Sequence, residues 1–367
     1  MSTALATTIY AENSECEMSS REFGAVISAL IAGRDLTRAE AYYSFRQILL
    51  DQQSEMQQGA FLAALAAKGE TAAEIAGVWQ AIYELDTVPV AIRTRQPLVE
   101  NCGTGMDAVK TFNISTAAAL IAAADGVPIA RHGSRSITSA CGTVDVLEAL
   151  GINVECSVQT VQRSIEIAGI GIFNGMSAQV HPEALGRILS QMSFGSVLNI
   201  SASLANPALP RIAVRGVSRR ELLLPTARAM REIGYRRALV VYGEAEAGRL
   251  GGIDEASTMG RSHVCALFSD GRISEYSFMP SDMGIRPVQA SELAGSANKL
   301  VEASRLKSLL MGKESEARTD IACLNAGLIL YVSGQQPSIK AGYRRALDLV
   351  TTRRPINKLI DWINIQK

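Results

Sequence analysis

Residues 98–116 read LVENCGTGMDAVKTFNIST, an apolar strand that passes through a glycine loop into the start of a helix. Gly103 and Gly105, on either side of Thr104, let backbone N–H groups converge on an anion with no Cβ in the way. Asp107 stands at the loop tip, within reach of a hydroxyl or a metal. Asn113, Ser115 and Thr116 precede the apolar run AAALIAAA and read as the cap and first turn of a buried helix. The N–H groups and positive dipole end of that helix favour a second anionic group.

Residues 131–145, RHGSRSITSACGTVD, repeat the device. Strand VPIA enters a polar loop and leaves as the helix VDVLEALG. Arg131 and Arg135 offer forked donors that match phosphate oxygens, and Ser136, Thr138, Ser139 and Thr143 add neutral ones. Further on, GGIDEAS at 251–257 sets Asp254 and Glu255 side by side after a glycine pair. Two hard carboxylate ligands beside a phosphate cradle suit Mg²⁺, which takes one or two carboxylates and completes its shell with phosphate oxygens and water.

Taken in this order, the three segments resemble the anthranilate phosphoribosyltransferase family, of the nucleoside-phosphorylase-like class. The resemblance extends through LIAGRDLTRAEAYYSFRQIL, GAFLAALAAKGETAAEIAGVWQAI, VHPEAL and ARTDIACLNAGLILYVSG, and so covers nearly the whole chain. It implies Mg²⁺-dependent transfer of a phosphoribosyl group from phosphoribosyl pyrophosphate to an aromatic amine such as anthranilate, with pyrophosphate released, a step of tryptophan biosynthesis. It implies a donor site at Gly103, Thr104, Gly105, Asp107 and Thr111, continued by Asn113, Ser115, Thr116, Arg131 and Ser139. Arg131, where the family usually has lysine, would neutralise leaving-group charge, while Ser115 would hold one metal ion and Asp254 and Glu255 a second Mg²⁺ that stabilises the pyrophosphate oxygens as the bond breaks. Gly103, His132, Ser134 and His181 would meet the acceptor, and a homodimer would form through the helical domain.

Several residues depart from the family pattern. Met106 replaces the second glycine of GTGGD, and Ser134 the asparagine of HGNR. An arginine that pairs with the acceptor carboxylate in the family falls on Leu189 or Gln191, with Arg187 one turn early. The family's NLLGPLLNP is NISASLANP here, which puts Ser203 in place of a proline. Loss of a bidentate carboxylate partner costs about 1.5–4 kcal/mol of affinity. The alternatives are accordingly a phosphoribosyltransferase with another acceptor, a nucleoside phosphorylase of the same fold, and a non-enzymatic nucleic-acid-binding relative.

The elements that must position these residues fall into two regions. Apolar residues recur three and four apart in four segments between about 20 and 90, with Gly33 and Gly69 at expected C-terminal caps. These predict a helical domain over 19–92, after a flexible tail at 1–18, completed by helices from about 176–195. Phe45, Leu49, Phe61, Leu62 and Trp79 are read as its core. Short apolar strands at LVEN, VPIA, INVE, IGIF, SVLNI, IAVRG and ALVVYG alternate with helices, which predicts an α/β domain over 96–175 and 196–355 with a mixed, mostly parallel sheet. The substrate cleft is expected between the two.

Composition sets further bounds. Lys+Arg and Asp+Glu both number 36 in 367 residues, so no charge bias favours nucleic acid or membrane, and the pairs Arg219/Arg220, Arg236/Arg237, Arg344/Arg345 and Arg353/Arg354 read as solvated helix faces. The six cysteines have no Cys-x-x-Cys spacing and only three histidines for company, which supports neither zinc nor a disulfide framework. Cys102 and Cys141 lie in the anion loops but read as small packing residues, and His263 as structural. The N-terminal segment lacks a basic region, and the longest apolar runs are too short to span a bilayer, so a cytoplasmic location is expected.

Overall fold

The computed structural model describes residues 17–105, 109–135, 141–245 and 251–367. Asp107 and Ser139, with Met106, Ser136, Thr138 and residues 1–16, lie outside the described residues.

The chain opens with four helices, α1 (Ser20–Ile31), α2 (Arg38–Leu49), α3 (Glu55–Lys68) and α4 (Ala72–Asp86). Three of them start with one device: Ser19, Thr37 and Thr71 each accept the N–H of a glutamate three residues on, whose carboxylate returns to the cap N–H. Phe45, Leu49, Phe61 and Leu62 are buried in one core, with Trp79 packed against it.

The sheet follows as β1 (Val99–Cys102), α5 (Ile114–Ala124), β2 (Ile129–Gly133), α6 (Thr143–Ala149), α7 (Val158–Ala168) and β3 (Ile170–Asn174). The chain then crosses through α8 (Leu185–Ser190) and α9 (Leu198–Leu204) to β4 (Ile212–Gly216), α10 (Leu223–Glu232) and β5 (Arg237–Glu244). Two-residue β6 (Gly252–Ile253) and the hairpin β7 (Ser262–Leu267) and β8 (Ile273–Phe278) complete it. The order is β3-β2-β1-β4-β5-β7-β8, parallel from β3 to β5 and antiparallel beyond, with β6 on β5. Helices α11 (Lys299–Leu310), α12 (Glu316–Val332), α13 (Ile339–Thr351) and α14 (Arg354–Ile365) close the chain. Among the described residues no helix is long and apolar enough to cross a membrane.

Alternation along the strands sends side chains to two cores. Val214, Leu239, Val241 and Val264 join α5 and α11–α14 on one face, while Ala213, Ala238, Val240 and Cys265 join α1–α4 and α8–α10 on the other.

Three expected elements differ. INVE is a turn-rich connection, not a strand. SVLNI leads into helix α9, whose apolar side packs on α4. Helix in the 176–195 segment is confined to Leu185–Ser190.

Candidate active site

Parallel strands of an α/β sheet point their carboxyl ends at a crevice where the strand order reverses. Here β1 feeds β2 and β3 on one side, and the chain returns to β4 on the other, so the crevice opens between β1 and β4. A cleft of ≈ 280 Å³ lies at these strand ends, lined by Gly103, Thr104, Gly105, Thr111, Asn113 and Ser115, by Arg131, His132 and Ser134, and by Asp254 and Glu255.

Asp254 follows β6 directly and is only 5% exposed. Its Oδ2 accepts the Gly105 N–H at 2.7 Å and lies 3.5 Å from Thr104 Oγ1. This approach requires glycine twice. A Cβ on Gly103 would overlap the Asp254 carboxylate, and one on Gly216, at the end of β4, would overlap the Asp254 carbonyl oxygen.

Helix α5 is buried on every side except at Ser115, in its first turn. Asn101 Nδ2 holds the Ser115 carbonyl at 2.8 Å, and Thr143 Oγ1 donates to Asn113 Oδ1 at 3.2 Å. Arg131 lies beneath this turn: Nη1 donates to Thr116 Oγ1 at 2.6 Å, Nη2 to Ser115 Oγ at 3.0 Å and Nε to the Asn101 carbonyl at 3.1 Å. All three acceptors are neutral, and burial lowers the Arg131 pKa from its usual value. A buried cation bound to dipoles at a helix N-terminus is prepared for an anion. Arg135 is not available in this way, because Asp145, Glu148 and Glu155 surround its guanidinium at 3.0–3.1 Å.

Successive residues of a strand face opposite ways, so β2 divides the cleft. Arg131 faces α5, and His132 faces α9. On the α9 side Leu185, Leu189, Met192, Phe194, Leu198 and Ala202 bring apolar surface, with Ser203 and Asn199 among them. Asn199 Nδ2 also donates to the Thr104 carbonyl at 3.3 Å, which ties the two halves. His181 does not line the cleft but stands behind His132, with their Nε2 atoms 3.1 Å apart. Arg187 turns into the helical bundle, where it binds the Ile48 carbonyl at 2.7 Å and Asp51 at 3.2 Å.

Cys102 and Cys141 also line the cleft, and burial raises both thiols above their ordinary pKa, which keeps them protonated. His263, on β7, hydrogen-bonds Glu244 Oε1 at 2.8 Å, away from the cleft. Met192, Phe194, Leu198 and Asn199 are not singled out as site residues by the sequence: the first two fall in a stretch read as helix and the other two in SVLNI, read as a strand.

Comparison with known proteins places the fold. Residues 95–353 match the model of a glycosyl transferase family a/b domain, and residues 25–85 that family's helical bundle domain. The anthranilate phosphoribosyltransferase of Anaeromyxobacter dehalogenans is 36% identical, with 91% of this chain and 96% of the relative covered. That of Haloarcula marismortui is also 36% identical, over 92% and 98%. Among solved structures, the anthranilate phosphoribosyltransferase of Thermus thermophilus superposes with a TM-score of 0.82 at 31% identity, covering 93% of this chain and 98% of its own. The Saccharomyces cerevisiae enzyme, solved in complex with PRPP and Mg, reaches 0.81 at 21% identity, over 95% and 98%, and shares the fold.

Proposed function

The chain belongs to the anthranilate phosphoribosyltransferase family, and from that premise we propose that it transfers the phosphoribosyl group of phosphoribosyl pyrophosphate to the amine of anthranilate or a related aromatic amine. The observation that carries this reading is the meeting of the Gly103–Gly105 loop, the Ser115–Arg131 cluster and the Asp254–Glu255 pair at the carboxyl ends of the central strands, beside an apolar half-cleft.

The reaction breaks the bond between C1 of the ribose and pyrophosphate, so positive charge grows on the sugar and negative charge on the leaving group. Arg131, Ser115, Thr116 and the N-terminus of α5 stabilise that negative charge with groups already in place. The amine lone pair attacks C1 from the α9 side, held in line by the apolar wall. No strong base is needed, because the arylammonium formed is acidic enough to release its proton to water.

Mg²⁺ fits the donor set. Asp254, Glu255 and Ser115 are hard oxygen ligands on one cleft, and among the described residues no group of three or more His, Cys, Asp or Glu could hold a metal without help. That suits an ion completed by substrate phosphate oxygens. When bound, it would neutralise charge on pyrophosphate, with Asp254, Glu255 and Ser115 as its protein ligands.

Arg131→Met should raise KM for phosphoribosyl pyrophosphate roughly 10- to 150-fold, the value of a charge-assisted hydrogen bond or two. Steady-state kinetics with varied donor would show it, and an unchanged KM would remove Arg131 from the donor site. Gly103→Ala should cost about 100-fold in kcat/KM by displacing Asp254, with little change in melting temperature. Wild-type rates in that variant would mean Asp254 need not sit where it does.

A second reading, an acceptor without a carboxylate, is favoured by the turning of Arg187 into the bundle and the aliphatic Leu189 on the cleft wall. Turnover of a neutral arylamine in preference to anthranilate would establish it. The proposal includes a homodimer through the bundle, where Ile31 and Met56 remain 74% and 85% exposed. Sedimentation at twice 39.2 kDa would support it, and a monomer at micromolar concentration would refute it.

A further inference from the structure

We infer that His132 and His181 act as one unit that takes up a single proton when a carboxylate-bearing acceptor enters, supplying the positive charge that no arginine among the described cleft-lining residues supplies on the α9 side. The inference rests on the transferase reading above and adds how that site recognises its acceptor.

The argument is a count of hydrogens. His181 Nδ1 lies 2.6 Å from the Asp86 carbonyl oxygen and 3.3 Å from Thr87 Oγ1. Thr87 already donates its hydroxyl proton to the Ile82 carbonyl at 3.1 Å, so both neighbours of His181 Nδ1 are acceptors and that nitrogen carries hydrogen. At the other end, His132 Nδ1 faces the Ser203 carbonyl oxygen at 3.3 Å, again an acceptor. Between them the two Nε2 atoms face each other at 3.1 Å.

Two neutral imidazoles carry one N–H each. If both point outward to the carbonyls, two lone pairs meet in the middle. If His132 instead donates to His181, its Nδ1 lone pair faces the Ser203 carbonyl. Either way one contact is repulsive. A third proton, shared between the Nε2 atoms, satisfies every contact and leaves one positive charge on the pair.

Burial opposes that charge in the free protein. It lowers both imidazoles, His132 to about 3, and repulsion from His181 adds to the effect at His132. Arg215 of β4 also disfavours a charged His132, although Glu100 of β1 pairs with that guanidinium at 2.8 Å. Asp86, at the end of α4, favours a charged His181. A carboxylate arriving beside His132, which lines the cleft while His181 does not, tips this balance toward the charged pair. The close approach of the rings depends on Gly175, where a Cβ would stand 2.9 Å from His132 Nε2. In these terms His132 contacts the acceptor, and His181 is a positioning residue.

The proton comes from bulk water, so affinity for the carboxylate falls as pH rises, by up to about tenfold per pH unit between the pKa of the free pair and the higher pKa of the pair with the carboxylate bound. KM for anthranilate, measured with saturating donor and Mg²⁺ between pH 6 and 9, should climb in the wild type, whereas KM for aniline, which has no carboxylate, should stay flat. His181→Asn keeps a donor for the Asp86 carbonyl but cannot hold the extra proton. It should raise KM for anthranilate at pH 6, flatten its pH profile and leave KM for the donor unchanged. A flat anthranilate profile in the wild type, or a His181→Asn profile as steep as the wild type's, overturns the inference while leaving the transferase reading standing. Absence of turnover with both amines overturns the transferase reading and the inference with it.

Discussion

Asp254→Ala is expected to lower kcat/KM about a thousandfold, roughly 4 kcal/mol of lost transition-state stabilisation, while the far-ultraviolet circular dichroism stays that of the wild type. Asp254 is the point on which the site converges: it follows β6, its carboxylate reaches the Gly105 N–H at 2.7 Å and is accommodated by Gly103 of the β1 loop, and its carbonyl is accommodated by Gly216 of β4. Removing it takes away a proposed metal ligand and the contact that ties the glycine loop to the far side of the crevice. A Mg²⁺ titration of initial rates tests the assignment. If Asp254→Ala keeps wild-type activity at the same Mg²⁺ concentration, the carboxylate pair is not the metal site.

Glu100→Ala should have the largest effect on stability. The Glu100 carboxylate is wholly buried on β1 and accepts from Arg215 Nη2 at 2.8 Å, the Tyr235 hydroxyl at 2.7 Å and Asn206 Nδ2 at 2.9 Å. Taking away one partner of a buried pair leaves an uncompensated charge, which costs about 3–5 kcal/mol. For a domain of this size that is a fall of roughly 10 °C in melting temperature. Glu100→Gln, which keeps two acceptor lone pairs but no charge, should recover part of the loss. Arg215 also holds Ser203 by its hydroxyl and its carbonyl, so surviving Glu100→Ala protein should show a raised KM for the acceptor. Thermal and urea unfolding decide the matter, and a melting point within about a degree of wild type would mean the pair is replaced by water.

What could be read from the sequence was what local chemistry dictates. The four opening helices follow from apolar spacing, and strands such as IAVRG and ALVVYG from continuous apolar runs. SVLNI has the composition of a strand, yet becomes α9 because its burial partner is helix α4, which local pattern does not reveal. The β7–β8 hairpin was missed although Asp270-Gly271 marks its turn, because SHVCALF and ISEYSF carry few β-branched residues and were not read as strands.

The candidate site divides along the same line. Glycine loops, the helix start at Ser115 and the adjacent acids Asp254 and Glu255 are signals within a few residues and were legible. That Arg131 binds Ser115 and Thr116 while Arg135 is consumed by carboxylates depends on register and on α6, and could not be read. Nor could the meeting of His132 with His181, or the turn of Arg187 into the bundle, since each joins residues from distant parts of the chain.

The hold of Asp254 on the Gly105 N–H has a consequence for traffic through the site. A phosphate oxygen that seeks this N–H competes with a carboxylate already bound to it, and a bare polyanion would meet that carboxylate at close range. A donor arriving with its cation would give Asp254 a new partner and leave the Gly105 N–H for a phosphate oxygen. Run backwards, the same exchange would favour release of the leaving group, because an anion without its cation would face a carboxylate able to reclaim the loop N–H.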